Sequence, residues 1–163
     1  MREIWLSIQK KQGRLGSLTL SVNPFIPKPF TPFQWEGMDG EKSLTAKLRR
    51  LRAGVARLAN TSLICESVRG AVLQAFLSRG DRRVGATLPL LAAGDNLATA
   101  CRKIGLDPAF YVTRQRREDE VFPWEVLNSG VSRAYLWREC LFSRRGQLTP
   151  RCLPGCRRCG VCG

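Results

Sequence analysis

Four cysteines near the end of the sequence have the residue type and spacing to do chemistry. Cys152, Cys156, Cys159 and Cys162 form C-x-x-x-C-x-x-C-x-x-C, with Pro154, Gly155, Gly160 and Gly163 shaping the backbone between and around them. Four thiolates within eleven residues can converge on one ion or cluster, because tight turns bring such ligands onto one side. The 163-residue chain has no histidine. That excludes Ser-His-Asp and Cys-His catalytic arrangements and any zinc site mixing cysteine with histidine. A zinc site here would be all-cysteine, and a cysteine-ligated iron–sulfur cluster fits the same donors. Soft sulfur ligands disfavour calcium and magnesium. Arg151, Arg157 and Arg158 flank the ligands and favour thiolate over thiol. Disulfides would need an oxidising compartment, which no secretory signal announces.

The elements that must position these groups read as helix and strand in alternation, then mostly helix. Ile4, Trp5 and Ile8 give Met1 to Gln12 helical spacing, broken at Gly13 and Gly16. Leu18, Leu20 and Val22 alternate with Thr19 and Ser21, the period of a strand. A single βα unit cannot bury both faces of its strand, so this part calls for a larger sheet beside it. Ser43 is read as the cap of a helix to about Ala59 with a stripe of Leu44, Leu48, Leu51, Val55 and Leu58 and a solvated basic face. Asn60 and Thr61 start a short strand with Leu63, Ile64 and Cys65 as its apolar part, and a helix follows from Glu66 to Leu77, stopped by Gly80. Val84 to Ala93 and Asn96 to Ile104 read as helices, the second capped by Asp95. Phe110 to Val112 reads as an extended segment after Asp107-Pro108. Val131 to Phe142 reads as a last helix capped by Ser129. Arg114, Arg116 and Arg117 with Glu118 to Glu120 read as a surface charge network, and Cys65 and Cys101 as inert buried thiols.

Between the first strand and the second helix lies a rigid loop. Pro24, Pro27, Pro29 and Pro32 fall within nine residues, and Phe25, Phe30, Phe33 and Trp35 hang from the same stretch. Each proline fixes φ and pushes the preceding residue to extended geometry, so Asn23 to Phe33 can be neither helix nor central strand. Phe122-Pro123-Trp124 is a second aromatic corner.

The run Ser21 to Glu36, SVNPFIPKPFTPFQWE, resembles a late barrel strand and its loop in radical SAM iron–sulfur proteins. The resembling group carries a cobalamin-binding-type domain ahead of the barrel. Glu66-Ser-Val-Arg-Gly70 with Ser78-Arg-Gly-Asp-Arg-Arg83 is similar too. So is Glu120-Val-Phe-Pro-Trp-Glu125 with Ser129-Gly-Val-Ser132, Tyr135-Leu-Trp-Arg-Glu139 and the cysteine-rich end. Phe30 stands where the family usually has histidine, and Asn128 where it usually has aspartate.

The resemblance implies an α/β fragment: the last βα part of a partial (β/α) barrel, a mainly helical C-terminal extension and a cysteine-rich tail, over 1–36, 37–146 and 147–163. It places Ser21, Val22, Asn23 and Phe25 at the cofactor cavity. In the complete protein it implies a 4Fe-4S cluster and S-adenosylmethionine, whose reductive cleavage yields a deoxyadenosyl radical, with cobalamin possible upstream. The cobalamin-type domain, most of the barrel and the catalytic cluster loop are expected ahead of Met1, in a longer protein or a split subunit. Cys152, Cys156 and Cys159 match the spacing of that catalytic loop. The loop belongs after an early barrel strand, so these cysteines with Cys162 are assigned to an auxiliary iron–sulfur or zinc centre. The chain alone is expected to be inactive in radical chemistry.

A net charge of +14 admits RNA as a partner, giving a rival class: a non-enzymatic four-cysteine module binding RNA or protein. The basic residues are nonetheless spread over several segments, without the aromatic interleaving of a single-strand groove. No apolar run approaches the ~20 residues of a membrane span, and Met1 to Gln12 is no signal peptide. A cytoplasmic location is expected.

Overall fold

The structure is a computed structural model that describes residues 2–13 and 16–161. It is mixed α/β and mostly helical. The chain divides into two compact units, Met1–Pro24 with Glu41–Gly70, and Phe25–Gly40 with Ala71–Gly163. No helix among the described residues is long and apolar enough to cross a membrane.

The first unit is a strand–helix–strand crossover with a helix ahead of it. Helix α1 spans Arg2–Gln12, strand β1 Leu18–Ser21, helix α2 Glu41–Val55 and strand β2 Thr61–Ile64. The strands pair in parallel, Leu18 with Thr61 through Ser21 with Ile64. Parallel partners need such a crossover, because a tight hairpin cannot join them. The ladder extends at both ends, where Leu18 N donates to Asn60 O (2.8 Å) and Val22 N to Ile64 O (2.9 Å). Alternation is clear on both strands. Leu18, Leu20, Thr61 and Leu63 are half-buried, while Thr19, Ser21, Ser62 and Ile64 are exposed. Neither strand has a fully buried residue; among the described residues the unit's buried side chains, Leu44, Leu48 and Val55, all come from α2.

The second unit holds the aromatic core. Helices α3 (Val68–Arg79, its first turn in the first unit), α4 (Leu88–Ala92), α5 (Leu97–Ile104), α6 (Pro108–Val112) and α7 (Arg133–Arg144) are joined by 3₁₀ turns. The turns are Pro32–Trp35, Arg82–Thr87 and Pro123–Val126. Trp35, Phe122, Trp124, Leu136 and Cys140 are buried together. The Trp35 ring lies 5.7 Å from Phe122 and 5.0 Å from Trp137, and Phe122 stacks on Trp124 at 4.8 Å. The two aromatic corners of the sequence therefore form one core. Gln34 joins them: its Oε1 accepts from Trp124 Nε1 (2.9 Å) and from the backbone N–H of Phe30 (3.1 Å), which sits in the left-handed region at φ 58°.

Several local expectations are corrected. Helix α2 starts at Glu41, two residues before Ser43, and its Leu51 is 44% exposed. Phe110 to Val112 is not extended. Asp107 accepts from Ala109 N (2.9 Å) and Pro108 takes the first helical position, which makes Asp-Pro a helix start. Asn96, not Asp95, caps α5, accepting from Thr99 N; Asp95 instead pairs with Lys103 at 2.6 Å. Ser132, not Ser129, caps α7. Residues 82–87 form a 3₁₀ turn ahead of α4 where one helix was expected. Gly80 does follow α3, but its φ is not left-handed. A Cβ there would lie 2.4 Å from Val84 Cγ2, so glycine is needed for close approach.

Candidate metal centre

Two contacts tie the cysteine tail to α7 within the second unit. Ser132 N, at the helix cap, donates to Cys159 O (2.7 Å), and Thr149 Oγ1 donates to Glu139 Oε2. Gly160, at φ 90°, passes 3.3 Å from Gly130 O, measured from an ideal Cβ position, so a side chain there would crowd that carbonyl. Cys156 N donates to Leu153 O (3.0 Å), closing the turn that carries Pro154 and the left-handed Gly155. These bonds hold the backbone of an otherwise irregular segment.

Arg158 organises the thiols. Its Nε donates to Cys156 Sγ (3.1 Å), and one terminal nitrogen donates to the carbonyls of Pro150 (2.9 Å) and Arg151 (2.8 Å). That hydrogen bond holds the Cys156 thiol below the ordinary thiol range, helped by the nearby Cys152 thiol. A guanidinium donor favours the deprotonated sulfur that a metal needs. No disulfide joins Cys152, Cys156 and Cys159 to one another. Cys162 lies outside the described residues. Among the described residues, no three cysteines or carboxylates converge into a ready-made coordination group. The donor chemistry fits a thiolate-bound metal or cluster, with Cys152 and Cys156 already adjacent.

The remaining cysteines behave differently. Cys101 is 1% exposed and Cys140 is fully buried; burial pushes both thiols up. Cys140 Sγ also contacts Glu36 Oε1 at 3.5 Å. Cys65 is half-buried and donates to Glu66 O, so it is less enclosed than expected.

The strand-end residues fall into two groups. Ser21 ends β1, Val22 continues its ladder, and Asn23 Oδ1 accepts from Glu66 N (3.1 Å). These three stand with Ile64 to Glu66 at the C-terminal end of the parallel pair. Phe25 belongs to the second unit, where it is 57% exposed and meets Phe33 edge-on at 5.3 Å.

Sequence reasoning missed a set of buried arginines. Arg79 is 1% and Arg116 5% exposed, although Arg116 reads from the sequence as surface charge. Arg79 Nη1 donates to Glu36 O (2.6 Å), and Arg116 Nη2 to Arg79 O (3.0 Å). The Arg116 guanidinium lies 5.1 Å from the Trp124 ring centre and 5.4 Å from that of Phe122. Of the expected network, Arg117–Asp119 (2.9 Å) is exposed, while Arg114 makes a two-pronged, half-buried pair with Glu120. For Arg116 the sequence signal was its nearness to the Phe122-Pro123-Trp124 corner; Arg79 has no such neighbour in the sequence.

No protein-family model, curated protein or solved structure shows significant similarity to this chain.

Proposed function

We propose that the chain is the C-terminal part of a radical SAM iron–sulfur protein, contributing a late βα unit of its barrel, a helical extension and an auxiliary metal centre. The observation that carries the reading is the parallel β1–β2 pair. Parallel sheets are normally covered on both faces, yet here no strand residue is fully buried. Such a pair suits a place in a larger sheet. The three stretches that carry the resemblance also supply the second unit's core contacts. Trp35 meets Phe122 and Trp137, and Arg79 reaches Glu36.

In the complete protein, S-adenosylmethionine bound at a 4Fe-4S cluster would supply a deoxyadenosyl radical for hydrogen abstraction. This chain's part is positioning. Ser21, Val22 and Asn23 stand at the strand end that would face the cofactor cavity, with Asn23 fixed by Glu66 N. Phe25 is assigned to the same cavity by the resemblance. Cys152, Cys156, Cys159 and Cys162 would hold an auxiliary iron–sulfur cluster or zinc, and Arg158 would offset thiolate charge. The remaining barrel, with a cobalamin-type domain ahead of it, is the expected partner, and the cytoplasm the expected compartment.

The test is anaerobic purification with an ultraviolet–visible spectrum and iron, sulfide and zinc analysis. A brown protein with stoichiometric iron and sulfide is the expected outcome, and Cys156→Ala should lower both. A colourless zinc protein that binds RNA would favour the non-enzymatic module. Reading the DNA upstream of the Met1 codon in all frames checks the barrel; absence of a cobalamin-type domain and a C-x-x-x-C-x-x-C loop from the locus would count against it.

A further inference from the structure

Positive charge in the second unit is buried without matching carboxylate. Arg79 and Arg116 make no ion pair among the described residues, and each bonds only a backbone carbonyl. Arg79 Nε and Nη2 and Arg116 Nε are buried without a partner. Buried guanidinium groups are normally paired, because removing charge from water is costly. Here the two stand close enough to oppose each other. Burial first, then the charge of Arg116, lowers the Arg79 pKa to about 10; burial lowers that of Arg116 as well. Glu36 and Glu120 offset this only in part.

The excess charge reaches the surface at one cleft of about 640 Å³, lined by Arg116, Arg117, Arg133, Arg144 and Trp137. Three of the four arginines have carboxylates of their own. Arg144 meets Glu36 at 2.7 Å, Arg133 pairs with Glu125, and Arg117 meets Asp119 at 2.9 Å. The Arg117–Asp119 pair is largely exposed, and pairs of that kind are weak. Arg117 is therefore free to turn to a stronger acceptor, while Arg116 has none to give up.

We propose that this cleft binds a phosphate group, with Arg116 in its floor, Arg117 at its rim and Trp137 as the wall for an attached base. A phosphate fits better than a carboxylate because it presents more acceptor oxygens and more charge to several guanidinium forks. The volume suits a nucleotide-sized ligand rather than a lone ion. Glu118 and Asp119 share the lining. Their charge opposes a second phosphate, which selects a monophosphate or a single position along a strand. Trp137 lines the cleft with the Arg144 guanidinium 5.5 Å from its ring centre, and a base would stack against its remaining exposed surface.

Calorimetric titration of the full chain at low salt tests this, with AMP, adenosine, inorganic phosphate and a short single-stranded RNA as probes. AMP should bind at least tenfold more tightly than adenosine, and more tightly than inorganic phosphate. Arg117→Ala should weaken AMP several-fold, and Arg116→Lys on the order of tenfold, as loss of a charged hydrogen-bond donor predicts. Because Arg116 is buried, its variant is read only with an unchanged circular dichroism spectrum; Arg117→Ala, at an exposed position, carries the test otherwise. RNA that AMP displaces would assign the phosphate to a strand, and AMP without RNA binding to a free nucleotide. No AMP binding at millimolar concentration would overturn the proposal, as would binding that Arg117→Ala leaves unchanged. Neither readout depends on the metal at the cysteines, so this site and the radical SAM reading fail separately.

Discussion

The two units of this chain make opposite use of similar raw material. Both begin from regular apolar spacing. In the second unit, Trp35, Ala75, Phe76, Ala100 and Cys140 are wholly removed from solvent. In the first, no described residue is below 7% exposure, the three buried side chains among the described residues come from one helix, and Ile4, Ile8, Leu51 and Ile64 remain exposed. The difference teaches that a parallel strand pair and an aromatic loop reach stability by different routes. The loop's prolines limit its unfolded freedom and its rings bury large areas at fixed angles. The strand pair depends on neighbours for both of its faces.

The comparison breaks most visibly at Trp35. Trp35→Ala should destabilise the second unit by about 3–5 kcal/mol, because it leaves a cavity among Phe122, Trp137 and Leu136. Urea unfolding followed by the remaining tryptophan fluorescence checks this; a loss below 1 kcal/mol would refute a single shared core. Acid should also act on the second unit. Hydrogen bonds from Arg114 hold Glu120 below the ordinary glutamate range. A lowered carboxyl pKa means stability that is present above the unfolded-state value and lost as pH falls through the folded one. Glu120→Gln should therefore flatten the acid side of the unfolding curve by up to about 1 kcal/mol while changing little at acidic extremes. Chemical denaturation at several pH values reads it out. The smallest effect is expected at Leu20→Ala. With Leu20 only half-buried, the loss in this chain should stay within about 1 kcal/mol, below the usual range for a fully buried leucine. Amide hydrogen exchange sharpens the contrast: β1 and β2 amides should exchange well before those of α7.

Much of this was legible in the residues. Leu18 to Ser21 declared its strand by alternation, and the prolines declared a loop from Asn23 that holds as far as Thr31; Pro32 and Phe33 instead begin a 3₁₀ turn, whose first position suits the fixed φ of proline. Gly105 ends α5 in the left-handed conformation. Caps were less legible, because Ser129 and Ser132, or Asp95 and Asn96, carry equivalent local chemistry. Tertiary contacts decide: Ser132 N also holds Cys159 O, and Asp95 is drawn to Lys103. Asp107-Pro108 suits both a turn and a helix start, and the structure takes the second. Burial of Arg79 and Arg116 was illegible, since it depends on bonds between distant stretches, Arg79 to Glu36 O and Arg116 to Arg79 O. For the candidate centre, the ligands and their arginine neighbours could be read directly. The role of Arg158 as the particular donor to Cys156 could not, because it arises from a turn.

Gln34 gives the proline loop an unusual kind of memory. One amide oxygen serves both Phe30, four positions away, and Trp124, ninety positions away. Rotating that amide would strand two donors at once, so the loop's bend and the indole's seating must change together or not at all. A ligand or neighbouring surface that pressed on Trp124 would thereby be felt in the backbone at Phe30, without any hinge between them.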